Sequence, residues 1–291
     1  MIIPLSSMSG IDTVAATSLY SFDLKLFGLF FLVFYIIPYP MYRCVAHYLK
    51  WELNVKSLAR HWQDLFDGLN YDLILFIFGN YTFTMHWITI AAFFPSLFIY
   101  GQIAELPATK TSLPNINQWP KGMWVVFLIA LRGYLHSIIL AFAGYHIYLA
   151  CQFSLPFVII YVSCLSIPAT ILFSAFLLAK EVNTNWLRTK FYFVFRKKQA
   201  IDNESGNHHT STPIADEATS LLPTTHVSTL PNPYTYKITI HLHHWQIFYV
   251  LAFFTRFQHP VSQIGAGIVL ACYMEGICAY GYDKLVNEEA I

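Results

Sequence analysis

Residues 261–282, VSQIGAGIVLACYMEGICAYGY, decide the class of this protein. The stretch contains one charged side chain, that of Glu275. At a helical rise of about 1.5 Å per residue it is long enough to cross a hydrocarbon core about 30 Å thick. We therefore predict that it forms a membrane-spanning helix.

The composition of the whole chain points to the same class. Of its 291 residues, 56% are hydrophobic and 11% are charged, whereas soluble domains contain about 45–50% apolar and about 25% charged residues. The formal net charge of +1 argues against a general nucleic-acid binder, because neutralising phosphates needs a concentrated basic face. We predict an integral membrane protein whose partner is the lipid bilayer, with no nucleic-acid partner.

Apolar runs of sufficient length, bounded by charged or turn residues, occur six times along the chain. They are Leu24–His47, Leu73–Gly101, Met123–Cys151, Leu155–Ala179, Ile238–Phe257 and Val261–Tyr282. The predicted fold class is therefore all-α: a polytopic transmembrane helical bundle of about six spanning helices. Residues 1–23 form an N-terminal segment without the pattern of a cleaved signal peptide, residues 24–199 hold the first four spans, and residues 284–291 form a tail.

An amphipathic pattern lies between the first two runs, at residues 50–69. Apolar residues repeat there every three or four positions, at Trp51, Val55, Leu58, Trp62, Leu65 and Leu69. The other face carries polar and charged residues, namely Lys50, Lys56, Arg60, Gln63 and Asp64. We predict a helix lying in the headgroup plane of the membrane. A soluble helix packed on its own loops remains the alternative.

Residues 200–237 interrupt the apolar pattern with a segment rich in Ser, Thr, Asn and Pro, which we predict to be a disordered loop. The basic residues that follow the fourth run place this loop in the cytosol by the positive-inside rule. Within it, Glu217, Leu221 and Leu222 resemble the acidic dileucine motif that clathrin adaptors read on cargo for lysosomes or vacuoles. The pattern predicts a lysosomal or vacuolar membrane and a clathrin adaptor as a partner.

Histidines cluster at the start of the last predicted hairpin, residues 238–283, at His241, His243 and His244. If the two helices of this hairpin turn at His259–Pro260, His244 lies at the same depth as Glu275. Two imidazoles and a carboxylate are a common ligand set for Zn, Fe or Mn.

These three histidines, with Glu275 and Asp283, are therefore the candidate metal or proton site. A divalent metal is the possible cofactor. A purely structural pairing of His with Glu remains open as well.

Further polar residues lie inside other predicted spans, at His86, Arg132, His136 and His146. Because charge that faces lipid is costly, we expect them to point into the bundle. Hydrogen bonding between helices is their simplest role.

Three functions remain compatible with these patterns. The first, which we favour because ionisable residues occur in several spans, is proton- or metal-linked transport across an endolysosomal or vacuolar membrane. The second is a membrane-embedded, metal-dependent enzyme that acts on a lipid-like substrate through an activated water. The third is a non-catalytic membrane scaffold that recruits partners through the loop.

Overall fold

The computed structural model describes residues 17–106, 140–192 and 232–290. The chain divides into two compact units, the first comprising Met1–Pro168 with Leu242–Asp283 and the second Ala169–His241 with Lys284–Ile291.

Helices build the first unit. In chain order they are α1 (Leu24–Phe31), a π-helical turn (Leu32–Ile36), α2 (Pro38–Leu49), α3 (Leu58–Phe78), α4 (Tyr81–Thr84), α5 (Trp87–Ala104), α6 (Leu140–Cys151), α7 (Leu155–Ser163), the first residues of α8 (Ser166–Thr184), α9 (His244–Ala252) and α10 (Pro260–Ala279). The widened π turn comes directly before Pro38, where a proline ring crowds the preceding helical turn and leaves a carbonyl without its usual donor.

The second unit combines the rest of α8 with a small antiparallel sheet. Strands β1 (Tyr236–Ile240) and β2 (Val286–Ala290) pair with Ile238 opposite Glu288. The Asn183 amide on α8 donates to the Ile238 carbonyl at 2.8 Å and accepts from its backbone N–H at 2.9 Å. The described residues are mostly helical, as the all-α prediction has it, but that prediction misses this sheet, which includes the end of the predicted loop and most of the predicted tail. Residues 200–231 of the predicted loop lie outside the described residues.

Four helices in the described parts of the chain are long and apolar enough to cross a membrane: Leu24–Leu49, Trp87–Ala104, Leu155–Thr184 and Pro260–Ala279. They support an integral membrane protein, whereas six spans are not confirmed. The predicted third run, Met123–Cys151, is described from Leu140 onward, where it forms α6.

Two predicted spans are wrong as single helices. The run Leu73–Gly101 is interrupted between α3 and α5, where Asn80 adopts a left-handed backbone with φ +62°. The run Ile238–Phe257 contains part of β1 and then α9, a helix of 9 residues. Such a helix is about 14 Å long and cannot cross the hydrocarbon core.

The predicted interfacial helix, residues 50–69, is displaced along the chain. Helix α3 begins at Leu58, after the Ser57 hydroxyl accepts a hydrogen bond from the Arg60 N–H, and it continues to Phe78. Asp64, from its polar face, points inward and is 0% exposed, while Trp62 is 55% exposed. The apolar stripe therefore faces the surroundings, as it does on a helix in contact with lipid.

Helix α10 forms the centre of the first unit. Within its apolar stretch 78% of the residues are buried, against 28% in Leu24–Leu49 and 22% in Trp87–Ala104. The small residues of α10 allow neighbouring helices to approach closely, which is how membrane helices associate.

Candidate functional site

Two buried carboxylates lie two turns apart on one face of α3. Asp64 and Asp72 are 0% and 2% exposed, and Gly68 lies between them at the same four-residue spacing. Three positions at this spacing share a helix face, and here that face is directed into the bundle. Buried ionisable groups in membrane proteins mark functional sites.

Gly68 allows the ring of Tyr35 to cross this face. A Cβ atom at position 68 would lie 2.3 Å from the ring, so no other residue fits without moving it. The Tyr35 hydroxyl donates a hydrogen bond of 2.5 Å to the backbone carbonyl of Asp64. The tyrosine therefore packs against α3 between its two acidic side chains.

The Asp64 carboxylate is compensated by cations. The Lys56 ammonium lies 2.8 Å from Oδ2, and Arg60 Nε lies 3.4 Å from Oδ1. The Tyr39 hydroxyl donates to Oδ2 at 3.1 Å. Burial lowers the pKa of Lys56, which precedes α3, although the hydrogen bond to Asp64 opposes that shift. We call these four residues the Asp64 cluster.

Lys56 and a second cation, Arg43, cap the C-terminal end of α10. Lys56 donates to the Ile277 carbonyl at 2.8 Å, and Arg43 donates to the Cys278 carbonyl at 2.7 Å. The Asn54 backbone N–H bonds to the Ala279 carbonyl at 3.0 Å, and the Gly276 carbonyl accepts from the Tyr280 N–H. All four carbonyls that lack partners within the helix are thus satisfied, and positive charge lies at the negative end of the helix dipole.

Asp72 has a different environment. The Tyr273 hydroxyl donates to its Oδ1 at 3.2 Å and lies 2.9 Å from the Tyr282 hydroxyl. In residues 17–106, 140–192 and 232–290, no Lys, Arg or His pairs with Asp72. A buried carboxylate bonded to a neutral hydroxyl alone is costly, so the site favours an acid that holds its proton. We call Asp72, Tyr273 and Tyr282 the Asp72 chain.

Glu275 is another buried carboxyl group that forms no ion pair with a Lys, Arg or His among the described residues. It lies on α10, is 3% exposed, and accepts a hydrogen bond of 3.1 Å from the Tyr42 hydroxyl. Along the hairpin, a Cβ atom on Gly276, the residue after Glu275, would lie 3.2 Å from Cβ of Trp245, the neighbour of His244. The carboxyl group of Glu275 does not bond to the histidines. It is bonded by Tyr42, which lies on α2.

The predicted histidine cluster does not assemble a metal site. His244 is exposed, and His243 serves as the N-terminal cap of α9. His241 belongs to the second unit, where its backbone N–H bonds to Leu285. Asp283 lies 3.4 Å from Arg60. Across the described residues, no group of three or more His, Cys, Asp or Glu side chains could hold a metal ion.

The predicted interior polar residues divide into three cases. His146 is buried, with Nε2 at 3.0 Å from the Ser262 hydroxyl, as expected. His86 is exposed and caps α5, so its predicted inward position is wrong. Arg132 and His136 lie outside the described residues. The same is true of the dileucine residues Glu217, Leu221 and Leu222.

Sequence reasoning missed Asp72 and the tyrosines around it. The pattern Asp64-Gly68-Asp72, with its four-residue spacing, was the available signal. The predicted helix carries Asp64 on a polar face towards the headgroups, whereas Asp64 lies inside the bundle.

Comparison of the chain with models of protein families, with curated proteins and with solved structures found no match.

Proposed function

We propose that this chain is a proton-linked transport protein of a cellular membrane, with Asp72 as the group that carries the proton. One observation carries the proposal. The carboxyl group of Asp72 is buried against tyrosine hydroxyls, whereas that of Asp64, two turns away on the same helix face, is paired with two cations.

The contrast between the two aspartates supports different roles. Asp64 is held by Lys56 and Arg60, and Lys56 also donates to a carbonyl at the end of α10. Asp72 lacks such compensation in the described residues, so gaining or losing a proton there changes the charge of the bundle interior. Carboxyl groups of this kind form proton relays in pumps and transporters.

The Asp72 chain provides a route along which a proton can move. It leads from the carboxyl group through the Tyr273 and Tyr282 hydroxyls towards the segment after α10. The next residue, Asp283, has a side chain that is 39% exposed. The chain of hydrogen bonds ends at the Tyr282 hydroxyl inside the bundle, one residue before the partly exposed Asp283, and this closeness to the surface supports exchange of protons with the surroundings.

Glu275 supports the proposal as a second proton-accepting group. Its carboxyl group is bonded by Tyr42 in the way that Asp72 is bonded by Tyr273. Glu275 lies on the central helix α10, and Asp72 lies on α3 and is bonded by Tyr273 of α10. Helix α10 therefore takes part in both hydrogen bonds. We assign Glu275 to the same function.

The proposal is tested by proton flux in proteoliposomes that contain the full-length chain and a trapped pH-sensitive dye. A potassium diffusion potential drives protons inward, and we expect faster acidification than in empty vesicles. Asp72→Asn should remove the difference. Asp67→Asn is the matched control, because Asp67 lies on the same helix and is partly exposed. The proposal is overturned if wild-type vesicles acidify no faster than empty ones.

We further propose that the protein resides in a lysosomal or vacuolar membrane and is delivered there by a clathrin adaptor. The dileucine pattern at Glu217, Leu221 and Leu222 supports this location. Replacing both leucines with Ala should move a tagged protein to the cell surface. An unchanged location would exclude the signal.

A further inference from the structure

An apolar cavity of about 260 Å³ lies between α6, α7, α9 and α10 in the first unit. Its wall includes Leu165, Ile268 and Val269, together with the polar residues His146, Tyr161 and Thr255. For comparison, an apolar cavity of about 150 Å³ in another protein stays dry and binds benzene. The cavity here is large enough for a segment of a hydrocarbon chain.

The polar side chains in the wall are already satisfied by the protein. His146 Nε2 lies 3.0 Å from the Ser262 hydroxyl, the Tyr161 hydroxyl donates to the Phe254 carbonyl at 2.8 Å, and the Thr255 hydroxyl donates to the Ala252 carbonyl at 3.0 Å. A cavity whose polar groups are occupied offers water few partners. The space is therefore suited to hydrocarbon.

A buried cation lies beside this cavity. Arg256 follows the wall residue Thr255 in the chain and is 7% exposed. Its guanidinium group lies 5.5 Å from the ring centre of Phe157, and that ring stacks on the wall residue Tyr161. One terminal nitrogen donates to the Ser18 carbonyl, whereas the buried Nε has no hydrogen-bond partner.

The charge of Arg256 is also uncompensated within the described ranges, where the ion pairs involve Lys56 and Arg60 instead. A buried guanidinium with an unused N–H is costly unless an anion accepts from it. A carboxylate is suited to this role, because its two oxygens match the planar fork of arginine.

We propose that the cavity and Arg256 form a binding site for a long-chain fatty acid, with the hydrocarbon tail in the cavity and the carboxylate at the guanidinium. The low exposure of Arg256 favours a small head group, and the cavity volume favours one chain over two. The bilayer is the source of the ligand. This site is separate from the Asp72 chain and does not depend on proton-linked transport.

The test uses native mass spectrometry of the full-length chain in a non-ionic detergent with three separate ligands. Hexadecanoate carries the proposed head group, hexadecanol has the same chain without charge, and phosphatidate carries an anionic head on two chains. We expect hexadecanoate to bind about tenfold or more tightly than hexadecanol, as a charge-assisted hydrogen bond implies. It should also bind more tightly than phosphatidate.

Variants separate the head site from the tail site. Arg256→Gln should remove the preference for hexadecanoate over hexadecanol, and Arg256→Lys should retain part of it. Ile268→Trp, which fills the cavity wall, should weaken both ligands. Ile264→Trp is the matched control, since Ile264 lies one turn away on α10, is 43% exposed against 41% for Ile268, and is not part of the wall.

Three results overturn the proposal. They are equal binding of hexadecanoate and hexadecanol to the wild type, a preference for hexadecanoate that persists in Arg256→Gln, and tighter binding of phosphatidate. Should Arg256→Gln fail to fold, the comparison of Ile268→Trp with Ile264→Trp still decides whether the tail occupies the cavity.

Discussion

Replacing Lys56 with Met removes a buried ammonium group that joins α3 to the end of α10. The Lys56 side chain is 2% exposed, and its Nζ donates to Asp64 and to the Ile277 carbonyl, each at 2.8 Å, and to the Tyr39 hydroxyl at 3.3 Å. Breaking a buried ion pair by removing one partner costs about 3–5 kcal/mol. Arg60 stays 3.4 Å from Asp64, so the lower end, about 3 kcal/mol, is expected.

The loss of free energy of unfolding is measured by equilibrium unfolding in mixed micelles of a mild detergent and sodium dodecyl sulfate. The double variant Lys56→Met with Asp64→Asn should lose less than the sum of the two single losses, by about 1 kcal/mol or more, because it leaves no unpaired carboxylate. Lys25→Met is the control, since Lys25 is exposed on α1 and its loss should cost less than about 0.5 kcal/mol. A cost below about 1 kcal/mol for Lys56→Met, or strict additivity in the double variant, would refute the reasoning.

Two further predictions concern packing and pH. Gly68→Ala should lower the free energy of unfolding by about 1–3 kcal/mol, because the new methyl group would lie 2.3 Å from the Tyr35 ring, whereas Gly28→Ala, with open space around it, should cost nothing. The same micelle assay compares the two variants, and equal effects would contradict the contact. Burial lowers the pKa of Lys56 below its ordinary 10.5, so the unfolded chain binds more protons there than the folded chain. The stability of the wild type relative to Lys56→Met should therefore rise as the pH rises through the lowered pKa towards 10.5. A stability difference between the wild type and Lys56→Met that falls over this pH range would contradict the lowered pKa of Lys56.

The membrane class and the last span were predictable because both depend on hydrophobicity summed along the chain. The predicted run Val261–Tyr282 corresponds closely to α10, Pro260–Ala279. Hydrophobicity does not reveal local breaks in a helix. The run Leu73–Gly101, predicted as one helix, is broken at Asn80, where the backbone is left-handed. The average hydrophobicity of the run concealed a helix break that the backbone of Asn80 imposes.

The candidate site was predictable in depth but not in direction around the helix axis. Counting from the hairpin turn placed Glu275 correctly beside the start of α9, yet its carboxyl group faces Tyr42 on α2. On α3, the apolar stripe was assigned to the membrane surface and Asp64 to the solvent. Asp64 instead lies inside the bundle beside the charged end of α10, and this packing depends on residues far apart in the sequence.

The central claim is that Asp72 holds an exchangeable proton inside the bundle. Infrared difference spectroscopy of the reconstituted full-length chain measures it directly through the carbonyl absorption of protonated carboxyl groups. We predict a band that disappears in Asp72→Asn, moves to a different frequency in Tyr273→Phe because the hydrogen bond is lost, and persists in Asp67→Asn. A spectrum that Asp72→Asn leaves unchanged would contradict the account.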